Sequence, residues 1–168
     1  MIKMMRIDDR LLHGQVAFVW KNHLGISRIV VANDALINDP MQQVTMKMAV
    51  PEGVKLLIRS MDDALHILND ERGKALEMLV VVKDPCDALK IMKGLKDPGQ
   101  VEHLNIGNSG RINREDRKVL TKEVYINEEE VQALKELLAY QIPFEIQMTP
   151  TSSKINVKDA LDKFEQEG

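Results

Sequence analysis

Short apolar runs alternate with longer amphipathic segments along this chain of 168 residues. The run from Met78 to Val82 is apolar throughout, as expected for a central strand that is covered on both faces. Strands that alternate with helices imply βαβ crossovers and a mostly parallel sheet. The sequence therefore predicts one domain over residues 1–168 with an α/β fold: an open, doubly wound, mostly parallel sheet with helices on both faces.

The bounds of the elements follow from the same periodicity and from helix-start signals. The predicted strands are Ile2–Ile7, Arg28–Ala32, Val54–Arg59, Glu77–Val82, His103–Ile106, Glu123–Ile126 and Phe144–Met148. The predicted helices are Leu12–His23, Pro40–Ala49, Met61–Arg72, Cys86–Lys93, Glu128–Gln141 and Val157–Phe164. A polar segment joins the fifth and sixth of these strands, so the regular alternation can break there.

Composition and charge argue against several classes of function. The formal net charge of −3 gives no electrostatic footprint for nucleic acid or for an anionic membrane surface. The one cysteine, Cys86, has no partner for an internal disulfide, which indicates a reducing compartment. No apolar stretch approaches the roughly 20 residues of a membrane-spanning helix, and no secretory leader is recognisable. We expect a cytoplasmic protein that reaches a membrane only through a partner.

One segment at the end of the first predicted strand is dense in chemically active residues. It reads Arg6-Ile7-Asp8-Asp9-Arg10-Leu11-Leu12-His13-Gly14-Gln15-Val16. Open α/β sheets bind ligands beyond the carboxyl ends of their strands. Imidazole is a nucleophile at neutral pH, and the guanidinium of Arg10 offers a fork of donors to phosphate oxygens. The segment therefore favours phosphoryl chemistry at His13.

The neighbours of His13 and Arg10 leave alternatives open. Asp8 or Asp9 can hold the imidazole by its other nitrogen, or orient Arg10. Gly14 either lets a partner approach closely or simply allows helix–sheet packing, and the amides of a helix start add a second anion site. Asn33 follows the second predicted strand and is a further candidate at the same edge. Taken singly, each residue is also compatible with an ordinary structural or solvated role.

The segment from Arg6 to Val16 resembles the phosphorylation-site signature of IIB components in the mannose/fructose/sorbose family. These proteins belong to the bacterial phosphoenolpyruvate-dependent sugar phosphotransferase system (PTS). The similarity continues in residues 29–34, 104–108 and 124–127, and so spans nearly the whole chain. Leu12, where isoleucine is common in the family, is a conservative departure.

The resemblance implies a relay. A phosphoryl group passes from phosphoenolpyruvate through general carrier proteins to a IIA histidine, then to the IIB histidine that matches His13. It finally reaches a sugar that enters through the membrane subunits IIC and IID. Arg10 and Asp8 match the motif residues that bind and orient the phosphate, with Gly14 and Asn33 as further candidates. No cofactor or metal is expected, only a transient phosphohistidine.

The resemblance also implies the partners. We expect IIA on a separate polypeptide and association with the inner face of the membrane through IIC/IID. Family members often form dimers or larger assemblies, so self-association into a homo-oligomer is an alternative that the resemblance leaves open. No sequence feature fixes a stoichiometry. Because the membrane subunits bind the sugar, mannose, fructose, sorbose and amino sugars such as N-acetylgalactosamine all remain candidates.

Two other classes of protein compete with this interpretation. A response-regulator receiver is also a doubly wound α/β domain, and Asp8, Asp9 and Lys83 fit its acid pair and lysine. However, the third predicted strand ends in Arg59-Ser60, where a receiver needs its phosphoryl-accepting aspartate. The second competing class is a nucleotide-binding module without catalysis, but this sequence has neither a P-loop nor a dinucleotide-binding fingerprint.

Overall fold

A seven-stranded sheet forms the centre of the molecule. The structure is a computed structural model that describes residues 1–167. The strands lie in the order β3-β2-β4-β1-β5-β8-β9, and all are parallel except β9, which runs antiparallel to β8. They span β1 (Ile2–Ile7), β2 (Arg28–Ala32), β3 (Lys55–Arg59), β4 (Met78–Val82), β5 (Leu104–Ile106), β8 (Phe144–Ile146) and β9 (Ile155–Asn156). The predicted mostly parallel sheet is confirmed.

Six α-helices cover the two faces of the sheet within residues 1–167. They are α1 (Gly14–Leu24), α2 (Pro40–Ala49), α3 (Met61–Leu68), α4 (Pro85–Gly94), α5 (Glu128–Leu138) and α6 (Val157–Glu167). The apolar residues of α1 and α2 pack in one core cluster, and those of α3 to α6 pack in the other. β4 is buried along its whole length, because helices lie on both sides of it. None of these helices is both long enough and apolar enough to cross a membrane.

The structure departs from the predicted elements in several regions. Residues Val124–Ile126 form a strand, β7, but it pairs antiparallel with β6 (Lys118–Thr121) in a separate hairpin. β6 and β9 were not predicted, because their residues are mostly exposed and carry no clear apolar alternation. The predicted helix Met61–Arg72 ends at Leu68 and gives way to a short 3-10 turn at Glu71–Gly73.

A buried ion pair fastens the hairpin to α5. The Nε atom of Arg117 donates to Oε1 of Glu130 at 2.8 Å, and the Glu130 side chain is 3% exposed. The same Oε1 accepts from the backbone N–H of Asn127, whose own side chain accepts from the Glu130 N–H. This reciprocal capping box starts α5. One carboxylate therefore stabilises both the helix start and the position of the hairpin.

Removing the cation of this pair is expected to be costly. Arg117→Met leaves a buried carboxylate without its charge partner, so we expect a loss of roughly 3 kcal/mol in the free energy of unfolding. In the double variant Arg117→Met/Glu130→Gln, the side chain is neutral and its oxygen can still cap Asn127, so most of the loss should be recovered. Denaturant unfolding of both variants measures this. Equal losses in the two would contradict the assignment.

Candidate active site

The loop after β1 is held between the carboxyl ends of its two neighbouring strands. The N–H of Asp8 donates to the carbonyl of Val82 at the end of β4, at 2.9 Å. On the other side, the Gly107 N–H after β5 donates to the carbonyl of Ile7, and the Asp9 N–H donates to the carbonyl of Asn108, both at 2.9 Å. The loop thus lies at the edge of the sheet where ligands bind in open α/β folds.

Asp8 is the centre of the loop's polar network. Its carboxylate is fully buried and accepts from the backbone N–H of Arg10 at 3.0 Å. It also accepts from the Arg10 side chain, through Nε at 3.1 Å and Nη2 at 3.0 Å. A second guanidinium, that of Arg6, donates to it through Nη2 at 3.1 Å. Asp8 therefore orients Arg10, one of the two roles that the sequence left open.

The Arg10 guanidinium is fixed along one edge. Besides Asp8, the side-chain oxygen of Asn108 accepts from Arg10 Nε at 3.1 Å and from Nη2 at 2.9 Å, in the amide orientation that satisfies its hydrogen bonds. The hydrogen bond to Asp8 raises the pKa of Arg10 above its ordinary value. Its side chain is 33% exposed, and within residues 1–167 its Nη1 atom has no acceptor. Arg10 thus offers Nη1 to an incoming anion.

Asp9 has a different role from Asp8. One of its carboxylate oxygens accepts from the backbone N–H groups of Arg111 and Ile112, at 2.9 and 3.2 Å. These residues belong to the loop between β5 and the hairpin. Asp9 therefore ties that loop to the β1 loop rather than touching Arg10.

Helix α1 begins two residues later than the sequence predicted, because a turn precedes it. Leu11 has φ of 59°, and its N–H donates to the carbonyl of Asp8 at 2.9 Å. The left-handed region is unfavourable for a leucine, but Leu11 and Leu12 are both buried in the core cluster of α1 and α2. These two anchors delay the start of the helix to Gly14 instead of Leu12.

His13 is the N-cap residue of α1 and is exposed. Its backbone is extended and its carbonyl accepts from the Ala17 N–H at 2.8 Å, whereas among the described residues its imidazole caps no helix N–H. The first N–H groups of a helix lack intrahelical acceptors and favour anions. The imidazole is therefore exposed at a helix start that can bind a negative charge.

Gly14 and Asn33 lie in settings that the sequence did not reveal. A Cβ on Gly14 would lie 3.6 Å from the Cβ of Ala49, at the end of α2. That glycine therefore faces a neighbouring helix. The Asn33 side chain accepts from the Leu36 N–H at 2.9 Å and shapes the turn after β2, which β4 separates from β1. The structure brings Asp8, Arg10 and Asn108 together, and it does not bring Asn33 to them.

Three side chains of the network were missed by sequence reasoning. They are Arg6, Asn105 and Asn108, all buried. Arg6 was visible as the first residue of the motif segment. Asn105 and Asn108 belong to β5 and to the turn that follows it, and only the pairing of β1 with β5 brings them beside the motif.

An open α/β sheet with an exposed histidine and a fixed guanidinium on the loop after its first strand is compatible with phosphoryl transfer at its carboxyl edge. A family model described as "PTS system sorbose subfamily IIB component" matches residues 2–167. The chain belongs to this family of the mannose/sorbose type. It is thus a phosphotransferase, a phosphoryl carrier of a sugar phosphotransferase system.

Individual relatives agree with the family match. The chain is 37% identical to the "Probable phosphotransferase enzyme IIB component" of Streptococcus pyogenes serotype M6, over 96% of this chain and 100% of that protein. The crystal structure of the IIB domain of the sorbose permease from Klebsiella pneumoniae has a TM-score of 0.87, with 27% identity over 96% of each chain. The mannose-specific EIIAB component of Escherichia coli K12 is 26% identical over 98% of this chain and 50% of its own length.

Gly107 is expected to be intolerant of a side chain. A Cβ there would meet the Arg6 guanidinium and would lie 2.8 Å from Oδ2 of Asp8. We expect Gly107→Ala to destabilise the fold by about 2 kcal/mol. Gly14→Ala is the matched control, because its Cβ makes only ordinary contact with Ala49 and should change stability by less than about 1 kcal/mol. Denaturant midpoints of both variants test this, and similar losses would contradict it.

The carboxyl edge also contains an acid whose titration affects stability. Burial raises the pKa of Asp87 to about 6, and the carboxylates of Asp84 and Asp34 add to the shift against the opposing effect of Lys90 and Lys83. Because the folded protein binds this proton more tightly, the contribution of Asp87 to stability is greatest below pH 4 and is lost as the pH rises through 6.

Asp87→Asn should therefore become more stable relative to the wild type between pH 4.5 and 7.5. Urea unfolding at both pH values measures the difference. Asp70→Asn is the control: hydrogen bonds from Arg72 lower the pKa of Asp70 to about 2, so its effect should stay nearly constant over this range. A parallel pH dependence of wild type and Asp87→Asn would contradict the assignment.

Proposed function

We propose that His13 carries the phosphoryl group, accepting it from a IIA phosphohistidine and passing it to a sugar held by IIC/IID. The observation that carries this proposal is the exposed His13 imidazole at the start of α1, on the same short loop as the guanidinium that Asp8 fixes. IIB components work with IIA and with IIC/IID in these systems. The similarity to an EIIAB component of E. coli supports a donor of the IIA kind.

The chemistry requires positioning more than covalent assistance. A neutral imidazole nitrogen of His13 attacks the phosphorus in line, a new N–P bond forms, and the N–P bond of the donor histidine breaks. The electron pair of the broken bond returns to the donor imidazole, which takes up one proton from solvent, while the other nitrogen of His13 releases one proton to solvent. Arg10 Nη1 and the free amides at the start of α1 hold the equatorial oxygens during the transfer. Both bonds are of one type, so the step is reversible and is proposed to need no cofactor or metal.

The second transfer ends the relay. The sugar hydroxyl attacks phospho-His13, an O–P bond forms, and the N–P bond breaks. The hydroxyl proton leaves to solvent or to the departing imidazole. The phosphate ester is more stable than the phosphoramidate, so this step proceeds toward sugar phosphate.

The surrounding residues have supporting roles in this proposal. Asp8 holds Arg10 and does not need to contact the imidazole. Gly14 contributes its backbone N–H at the helix start, and Asn33 supports the neighbouring turn. The protein works in the cytoplasm and meets the inner face of the membrane through IIC/IID. Self-association into a homo-oligomer is compatible with this relay but is not required by it.

A labelling experiment tests the identity of the carrier residue. The purified protein is incubated with labelled phosphoenolpyruvate, the general carrier proteins and a IIA protein of the same system. We expect label that is acid-labile and base-stable, and we expect His13→Ala to abolish it while retaining cooperative unfolding. His66→Ala is the matched control, because His66 lies in the last turn of α3, away from the loop. This variant protein should be labelled to the same extent as the wild type.

The stability of the label distinguishes the rival class. A hydroxylamine-sensitive label that survives His13→Ala indicates an aspartyl phosphate, as in a response-regulator receiver. That result would contradict the proposal that His13 carries the phosphoryl group.

A further inference from the structure

The side chain of Arg6 is buried beneath the loop, although the proposed relay does not use it directly. It is 2% exposed, and its Nη1 donates to Oδ1 of Asn105 at 2.6 Å and to the carbonyl of Gln147 at 3.2 Å. Its Nη2 donates to Asp8 Oδ2 at 3.1 Å. Its Nε has no hydrogen-bond partner within residues 1–167. The guanidinium is thus held by β5 and by the residue that follows β8, and it donates to Asp8.

A buried arginine of this kind is poorly suited to stability alone. Burial lowers the pKa of Arg6, and the charge of Asp8 only partly opposes this effect. Replacing a buried ion pair by apolar groups of similar volume is often neutral or stabilising. An unpaired Nε adds a further penalty. We therefore expect the buried Arg6 to serve the geometry of the site rather than the stability of the fold.

The packing around Arg6 restricts it to one position. Its Cζ lies 5.8 Å from the centroid of the Trp20 ring, and the Trp20 Nε1 is itself fixed by a hydrogen bond to the Met148 carbonyl at 3.0 Å. On another side, the absence of a side chain at Gly107 provides the space that the guanidinium occupies. Contacts from α1, β5 and the segment after β8 therefore hold Arg6 in place.

We propose that Arg6 is a positioning residue: it holds the Asp8 carboxylate so that Arg10 keeps its Nη1 directed to the phosphoryl group. This inference rests on the proposed role of His13. Asp8 Oδ2 is shared by the two arginines, at 3.1 Å from Arg6 and 3.0 Å from Arg10. When a dianionic phosphoryl group competes for Arg10, the bond from Arg6 keeps the Asp8 carboxylate in place.

A double-mutant cycle separates this role from general structural support. The wild type, Arg6→Lys, Arg10→Lys and the double variant are compared in single-turnover transfer from labelled phospho-IIA, with rates read by rapid quench. We expect Arg6→Lys to slow transfer about tenfold. If Arg6 acts through Arg10, the double variant should be no more than about twofold slower than Arg10→Lys. Rates that fall by the product of the two single effects would overturn the proposal.

Two further variants distinguish an effect on phosphoryl transfer from an effect on folding. Arg59→Lys is the matched control, because Arg59 is the last residue of β3 at this edge, and within residues 1–167 its side chain donates only to the carbonyl of its neighbour Ile58. It should transfer at the wild-type rate, and a comparable slowing would overturn the proposal. If Arg6→Lys does not unfold cooperatively, Asn105→Ser replaces it in the cycle, since it removes the 2.6 Å anchor but retains both arginines.

The outcomes of the cycle also distinguish this inference from the proposed function. Label that survives His13→Ala overturns the carrier role and the positioning role together. Label confined to His13, with independent effects of Arg6 and Arg10, overturns the positioning role alone.

Discussion

The buried carboxylate of Asp8 is the interaction on which the site depends. It lies one residue beyond β1, has no exposed surface, and accepts from two guanidinium groups and one backbone N–H. A carboxylate in this position is tolerated only because its hydrogen-bonding capacity is met by charged donors. In return, it fixes the edge of Arg10 and leaves the other side of that guanidinium open.

The rest of the loop exposes one residue and buries its neighbours. Leu11 and Leu12 are buried in the core beneath α1, and the backbone of Leu11 adopts the left-handed conformation that this burial requires. The helix then starts at Gly14, and His13 is directed outward. Asp9 fastens the loop after β5 on the other side. The apolar core thus leaves His13 exposed, and the polar network fixes the guanidinium of Arg10 on the same loop.

The hairpin and α5 extend this organisation away from the sheet. The N–H of Ser109 donates to the Glu123 carbonyl, and the Tyr125 N–H donates to the Ser109 carbonyl, so the turn after β5 is continuous with β7. The ion pair between Arg117 and Glu130 fastens the hairpin to the start of α5. The segment that includes Asn108 is therefore supported from a distant part of the chain, and this support stabilises the orientation of Arg10.

The sequence by itself determined the fold class, and it predicted where the chemistry takes place. The apolar run Met78–Val82 and the alternation around it required a buried parallel strand, since its pattern is local. The spacing of Arg10 and His13 after the first strand placed them at the carboxyl edge for the same reason. Only the tertiary structure decided the partners: that Asp8 holds Arg10 whereas Asp9 holds a loop, and that Asn33 lies apart. It also brought Asn105 and Asn108 to Arg6 and Arg10, because pairing between β1 and β5 joins residues about 100 positions apart, which no local pattern encodes.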